Sequence, residues 1–100
     1  MKIIKIWIDD VRLPPDNTYI HLASVNQVIA ALEIFKDEWI EVIDIDHDAG
    51  IFAIDGGDYI KVLDWMEENN RNIPIHIHSM NPVGVENMRR IIRYNGWKEI

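Results

Sequence analysis

The chain has 100 residues, of which 48% are apolar and 27% charged, with no cysteine and a net charge of −7. This composition predicts one globular domain over residues 1–100, excludes disulfides, thiolate zinc sites and cysteine nucleophiles, and opposes binding to duplex nucleic acid, whose phosphates an acidic surface repels. Because no apolar run approaches the ~18 residues of a membrane span and the N-terminus does not resemble a signal peptide, we expect a cytoplasmic protein without a membrane partner.

The first half of the chain predicts two strands, a helix and a third strand. "KIIKIWID" (2–9) is a nearly continuous apolar run, typical of a strand covered on both faces, and "TYIHL" (18–22) predicts a weaker edge strand. Ser24 and Gln27 form a capping-box pattern ahead of apolar residues at helical spacing. "WIEVIDI" (39–45) predicts a second buried strand.

The second half continues the alternation. "AGIFAIDGGD" (49–58) predicts a loop, and Asp58 is expected to cap a helix through "YIKVLDWMEENN". "NIPIHIHS" (72–79) predicts a third buried strand, and "NPVGVENMRRIIRYNG" predicts a last helix between the caps Asn81 and Gly96.

Helices in most of the links between buried strands imply right-handed crossovers and a parallel sheet. We therefore predict an α/β three-layer sandwich with a mostly parallel four-stranded sheet and three main helices. In such folds the functional cleft lies beyond the carboxyl ends of the strands.

The polar residues of three separate segments follow the predicted ends of three strands. These residues are Asp9, Asp10 and Arg12 after the first strand, Asp46, His47 and Asp48 after the middle one, and His78, Ser79 and Asn81 after the last. Because parallel strands end at one edge of the sheet, we expect these side chains to share a cleft.

The carboxylates predict a metal site. Two like charges ~4 Å apart repel by roughly 1–4 kcal/mol, and a divalent cation bound by Asp9, Asp10, Asp46 and Asp48 would relieve this repulsion. Mg²⁺ prefers such oxygen ligands, and Mn²⁺ is a substitute because imidazoles stand nearby. The alternative for each aspartate by itself is a role in a turn or a cap.

The remaining polar residues suggest phosphate chemistry. Imidazoles titrate near neutral pH, so that His47 and His78 at the tips could act as a base and an acid, whereas His76 is expected to be a core residue. Ser79 would orient a phosphate or a water. Asn81 would cap the last helix or touch substrate, and Arg12 would clamp a phosphate or pair with Asp10.

Three motifs together, "IWIDDVRLPP", "DHDAG" and "IHIHSMNPVGVENM", resemble those of the cyclic-phosphate-processing receiver-like domains, which are relatives of the response-regulator receiver domain. The resemblance covers nearly the whole chain and implies a small flavodoxin-like, receiver-like fold. The chain departs from the pattern of receivers in two places. It has no clear fifth strand with the switch lysine, for which Lys98 is a poor candidate. It also has "DAG" in "DHDAG", where a larger apolar residue is commoner in the family.

The resemblance also implies roles for individual residues. Asp9 and Asp10 match the acidic metal pair of receivers, and Asp46 matches the phosphoacceptor. Ser79 matches the hydroxyl residue that ends the fourth strand. His47 and His78 match the histidines that distinguish the family, which imply hydrolysis of cyclic phosphates such as 2′,3′-cyclic RNA ends.

Three functions of different classes follow. The first is a phosphoesterase-like enzyme that uses Mg²⁺ or Mn²⁺ and acts on a phosphate-containing small molecule or an RNA end. The second is a signalling receiver that is phosphorylated on Asp46. The third is a non-catalytic binding module that presents Trp39, Trp65 or Trp97 on an exposed face.

Overall fold

Four strands and three α-helices alternate along residues 3–100, the part of the chain that the computed structural model describes. Lys2, the first residue of the predicted strand over 2–9, lies outside these residues. The elements are β1 (Ile4–Ile8), β2 (Tyr19–Leu22), α1 (Val25–Ile34), β3 (Ile40–Ile45), a 3₁₀ helix (Gly50–Asp55), α2 (Ile60–Glu68), β4 (Ile75–Ile77) and α3 (Pro82–Asn95).

The four strands form one parallel sheet in the order β2-β1-β3-β4. The α/β class with a four-stranded parallel sheet and three helices is therefore confirmed, and β2 is the edge strand that was predicted. The backbone hydrogen bonds between strands continue past the strand ends, where Asp46 N donates to Ile8 O (3.0 Å) and His78 N donates to Ile45 O (3.0 Å). These bonds hold the carboxyl ends of β1, β3 and β4 side by side.

All three helices pack on one face of the sheet. Side chains from each helix join a single hydrophobic core with the isoleucines of one strand face, namely Ile4, Ile6, Ile8, Ile43, Ile45 and Ile75. The links from β2 to β3 and from β3 to β4 cross the sheet in the same direction, so right-handed crossovers put α1 and α2 on the same side. The link from β1 to β2 runs the other way and contains no helix, so the third layer that we predicted is absent from residues 3–100.

The second face of the sheet, which we call the polar face, combines charged residues with the aromatic rings of Trp7 and Tyr19 and carries no helix layer. Lys5 and Trp7 alternate with the core isoleucines of β1, and the register places Asp44 of β3 beside Trp7 and His76 of β4 beside Asp44. Lys5 and His76 are half-buried and line a shallow groove on this face. The prediction that His76 is a core residue is wrong, because His76 is half-buried on this face of the sheet.

Two of the three N-caps predicted from the sequence, those of α1 and α3, are present in the structure. The Ser24 hydroxyl accepts a hydrogen bond from Gln27 N at the start of α1, and Asn81 Oδ1 accepts one from Gly84 N at the start of α3. Gly96 ends α3 in a left-handed conformation (φ 67°). Asp58 does not cap α2: its carboxylate accepts a hydrogen bond from Ala49 N, because the predicted loop over 49–58 folds into a 3₁₀ helix.

Two further observations bear on the predicted functions. Of the three tryptophans that we considered for a binding face, Trp39 is exposed, whereas Trp65 and Trp97 are half-buried against the core. Within residues 3–100, no helix combines the length and the apolar character that crossing a bilayer requires. The cytoplasmic location stays a prediction.

Candidate functional site

The carboxylate of Asp9, at the end of β1, is held by three hydrogen-bond partners. Its side chain is fully buried, and Oδ1 accepts hydrogen bonds from the backbone N–H groups of Val11 and Arg12, both at 3.0 Å. Oδ2 lies 2.9 Å from Nε2 of His78. Burial disfavours the charged carboxylate, but the hydrogen bonds from Arg12, Val11 and His78 outweigh it and hold the pKa of Asp9 below its usual range.

Asp9, Asp10 and Asp46 form an acidic triad, in which one oxygen from each residue lies within 4.8 Å of the others. Two of the carboxylates follow β1 and the third follows β3, so the parallel pairing of these strands creates the cluster. Burial and the neighbouring carboxylates of Asp9 and Asp46 raise the pKa of Asp10, against one backbone N–H that favours its charged form. This repulsion is the energetic cost that a bound cation would remove.

Gly50 provides the space for Asp10. A Cβ atom at position 50 would collide with Oδ2 of Asp10, and the residue has a left-handed φ of 56° that side chains other than glycine rarely adopt. The sequence pattern predicts only a loop at Gly50 and gives no sign of this contact with Asp10. The glycine of "DHDAG" therefore contributes to the shape of the acidic triad.

The donor set of the triad fits a hard divalent cation. Each carboxylate oxygen has two acceptor sites, so Oδ1 of Asp9 is filled by its two N–H donors and Oδ2 keeps one site beside His78. Asp46 accepts one hydrogen bond, from His47 N to Oδ1 (2.8 Å). The acceptor sites that these hydrogen bonds leave free suit a cation that binds a few carboxylate oxygens and keeps several waters. The triad could therefore hold a metal ion.

His78 lies between two carboxylates on the polar face of the sheet. Its Nδ1 is 2.6 Å from Oδ1 of Asp44, and its Nε2 is 2.9 Å from Oδ2 of Asp9. The ring stacks on Trp7 with a centroid separation of 4.0 Å and an interplanar angle of 4°. Burial alone would lower the pKa of His78, but the hydrogen bonds and charges of Asp44 and Asp9 outweigh it and raise the pKa.

His47 belongs to a separate network at the start of α3. Its Nδ1 lies 2.8 Å from Oδ1 of Asp48, and the side-chain amide of Asn81 lies 3.4 Å from the same carboxylate oxygen. Asp48 was predicted as a fourth metal ligand, but the structure places its carboxylate in this network and outside the acidic triad. No hydrogen bond and no shared partner joins the His47 and His78 rings within residues 3–100.

Arg12 and Ser79 make local contacts at the rim. The Arg12 guanidinium donates to His78 O (3.1 Å) and so connects the loop after β1 to the end of β4, rather than pairing with Asp10. The Ser79 hydroxyl accepts a hydrogen bond from Asn81 N (3.1 Å). The two residues follow the carboxyl ends of β1 and β4, and a role for their side chains in binding a phosphate stays a prediction.

Four residues near the site were not identified from the sequence. They are Trp7, Asp44, Gly50 and Gly84, the last of which lies against the His47 ring. Trp7 and Asp44 lie inside apolar strands, and only the strand register shows that they meet His78. For Gly50 and Gly84, the only sign in the sequence was a glycine within "DHDAG" and a glycine within "NPVG".

Comparison with known proteins identifies one family. The family model of the cyclic-phosphate processing receiver domain matches residues 4–94, which is most of the chain. No curated protein and no solved structure matches the chain.

Proposed function

Because the chain belongs to the cyclic-phosphate processing receiver domain family, we propose that it hydrolyses a phosphate ester or cyclic phosphate with a divalent cation held by Asp9, Asp10 and Asp46. The observation that carries this proposal is the approach of these three carboxylates to within 4.8 Å at the edge of the sheet. All the donors are oxygens, while Nδ1 of His47 and both nitrogens of His78 already have carboxylate partners. This donor set favours Mg²⁺, with Mn²⁺ as its substitute.

A bound Mg²⁺ would supply charge that polarises phosphoryl oxygens. The protein's own residues would supply position and proton transfer. Asp48 at Nδ1 leaves Nε2 of His47 to take a proton from the attacking water as that oxygen bonds to phosphorus. The bond from phosphorus to the leaving ester oxygen then breaks, and that oxygen takes a proton from water at the exposed rim.

His78 has a different role in this proposal from the proton exchange that sequence analysis suggested. Both of its nitrogens are engaged, so its function is to hold Asp9 in place through the 2.9 Å contact. Arg12, Ser79 and Asn81 stand at the rim, where a phosphate-containing small molecule or a 2′,3′-cyclic RNA end would enter. The net charge of −7 opposes binding to a duplex, so the proposed nucleic-acid substrate is limited to an end.

The test uses 2′,3′-cyclic CMP with Mg²⁺ and measures the phosphomonoester product. We expect His47→Ala to lower turnover by about 10²–10⁴-fold, the usual contribution of a general base, and Asp46→Asn to abolish it. Asp37→Asn, which makes the same chemical change at an exposed residue after α1, serves as the matched control and should retain activity. Turnover that persists in both site variants while their circular dichroism is unchanged would remove the proposal.

One observation favours a second function, a phosphoacceptor receiver. Asp46 follows a central strand, as a phosphoacceptor does, and the only hydrogen bond to its carboxylate within residues 3–100 comes from the adjacent His47 N. Against this, Lys98 pairs through its backbone with Ile75 at the start of β4, the end of the strand opposite to the triad. Incubation with acetyl phosphate separates the two: a lasting mass gain of one phosphoryl group on Asp46 indicates signalling, and product release from the cyclic phosphate indicates the enzyme.

A further inference from the structure

Gly84, the third residue of α3, lies directly against the ring of His47. A Cβ atom at position 84 would lie 2.6 Å from Cδ2 and 2.7 Å from Nδ1 of that ring, closer than a side chain can pack. The His47 side chain is 15% exposed, so it has little freedom to move away. The backbone of the helix therefore forms one wall of the imidazole site.

Neither helix formation nor backbone conformation explains this glycine. Glycine is a poorer helix former than alanine, and Gly84 is not among the residues with positive φ. Space for the His47 ring is the remaining reason for its presence.

The cap of α3 and the orientation of His47 belong to one chain of hydrogen bonds. Gly84 N donates to Asn81 Oδ1 (3.0 Å), which turns the amide nitrogen of Asn81 towards Asp48 at 3.4 and 3.5 Å. Asp48 in turn lies 2.8 Å from Nδ1 of His47. A carboxylate can only accept, and its 2.8 Å contact is much shorter than the 3.4 Å approach of Asn81 Nδ2 to the same nitrogen, so Nδ1 carries the hydrogen and, in the neutral ring, Nε2 keeps its lone pair.

We propose that Gly84 and Asp48 are positioning residues for His47: Gly84 sets where the ring lies, and Asp48 sets its tautomer, so that Nε2 faces the substrate. The effect of these two residues on turnover rests on the proposed function, in which His47 is the base. The arrangement of the ring itself can be measured without any substrate.

The first experiment is a cycle of thermal unfolding with Gly84→Ala, His47→Ala and the double variant. Gly84→Ala should lower Tm in the wild-type background and raise it when position 47 is alanine, because the ring is gone and the better helix former remains. The matched control is Gly96→Ala at the other end of α3, where a Cβ atom meets nothing within 4 Å. It should lower Tm equally in both backgrounds through its left-handed φ.

If Gly84→Ala alone does not fold, the double variant still should. A double variant that also fails to fold, or an equal effect of Gly84→Ala in both backgrounds, overturns the role of Gly84, since the glycine would then serve something other than the ring.

The second experiment reads the tautomer of His47 directly by ¹⁵N NMR on the metal-free protein. The neutral ring should carry its hydrogen on Nδ1 in the wild type and shift towards Nε2 in Asp48→Ala. A hydrogen on Nε2 in the wild type overturns the role of Asp48.

With 2′,3′-cyclic CMP, Gly84→Ala should lower turnover on the order of 100-fold, as expected for an ångström-scale displacement of a reacting group, while Gly96→Ala retains turnover. If the wild type itself shows no turnover, the proposed function fails, and the unfolding and NMR results still decide how His47 is held.

Discussion

The charge of His78 is set by its two partners, Asp44 at Nδ1 and Asp9 at Nε2. Burial opposes the imidazolium, but the hydrogen bonds and charges of both carboxylates raise the pKa of His78. A folded-state pKa above the unfolded value of ~6.5 means that this interaction stabilises the fold fully below that pH. Its contribution is lost as the pH rises through the folded pKa.

Replacing Asp44 with asparagine keeps the shape of the site and removes one charge. We expect Asp44→Asn to lower the pKa of His78, because the remaining amide oxygen stabilises the imidazolium less than a carboxylate does. The measurement is an NMR titration of the His78 ring in chelator-treated protein, with the His21 ring as the internal reference. The same His78 midpoint in both proteins would contradict the assignment of Asp44 as its partner.

Single residues show where sequence was sufficient and where it was not. Asp9, Asp10 and Asp46 could be placed in one cluster because the end of a parallel strand is recognisable from an apolar run that stops at aspartate. The placement of Asp48 outside the triad could not be predicted, since its exact position in the turn after β3 decides whether its carboxylate faces the triad or His47. Asp44 was hidden within "IEVIDI", where its partner depends on strand register.

The helices show the same division at the scale of elements. The starts of α1 and α3 were predictable because a cap is a contact between residues three positions apart. The 3₁₀ helix over Gly50–Asp55 was not, because long-range contacts hold it. Asp55 accepts hydrogen bonds from the Ser24 hydroxyl (2.6 Å) and from Asn26 Nδ2 (3.0 Å), which join the 3₁₀ helix to the first turn of α1.

Ser24 therefore has two structural roles, as the N-cap of α1 and as a partner of Asp55. Ser24→Ala should lower the free energy of unfolding by about 1 kcal/mol for the lost cap, measured by urea denaturation. The loss should be larger at neutral pH than in acid, because the Ser24 and Asn26 hydrogen bonds lower the pKa of Asp55 and their stabilisation disappears as the pH falls through that pKa.

A control for this prediction is Asn72→Ala, which removes an exposed polar side chain and should leave stability nearly unchanged. Equal stability of Ser24→Ala and the wild type, at neutral pH and in acid, would contradict both roles of Ser24.

For the whole molecule, chain direction determines where the chemistry lies. The parallel strands end at one edge, so residues from β1, β3 and β4, separated by more than thirty positions in sequence, meet there. Helical periodicity was enough to predict this parallel arrangement. The strand order was not predictable, and it is the strand order that puts α1 and α2 on one face and leaves the other to Lys5, Trp7, Asp44 and His76.

The most direct test of the metal site is the anomalous scattering of Mn²⁺ in a crystal of the protein. We predict one strong peak at bonding distance from the carboxylate oxygens of Asp9, Asp10 and Asp46, retained in Asp48→Asn and lost in Asp10→Asn. A crystal at saturating Mn²⁺ with no peak at the triad, or with its peak between His47 and Asp48, would contradict the account.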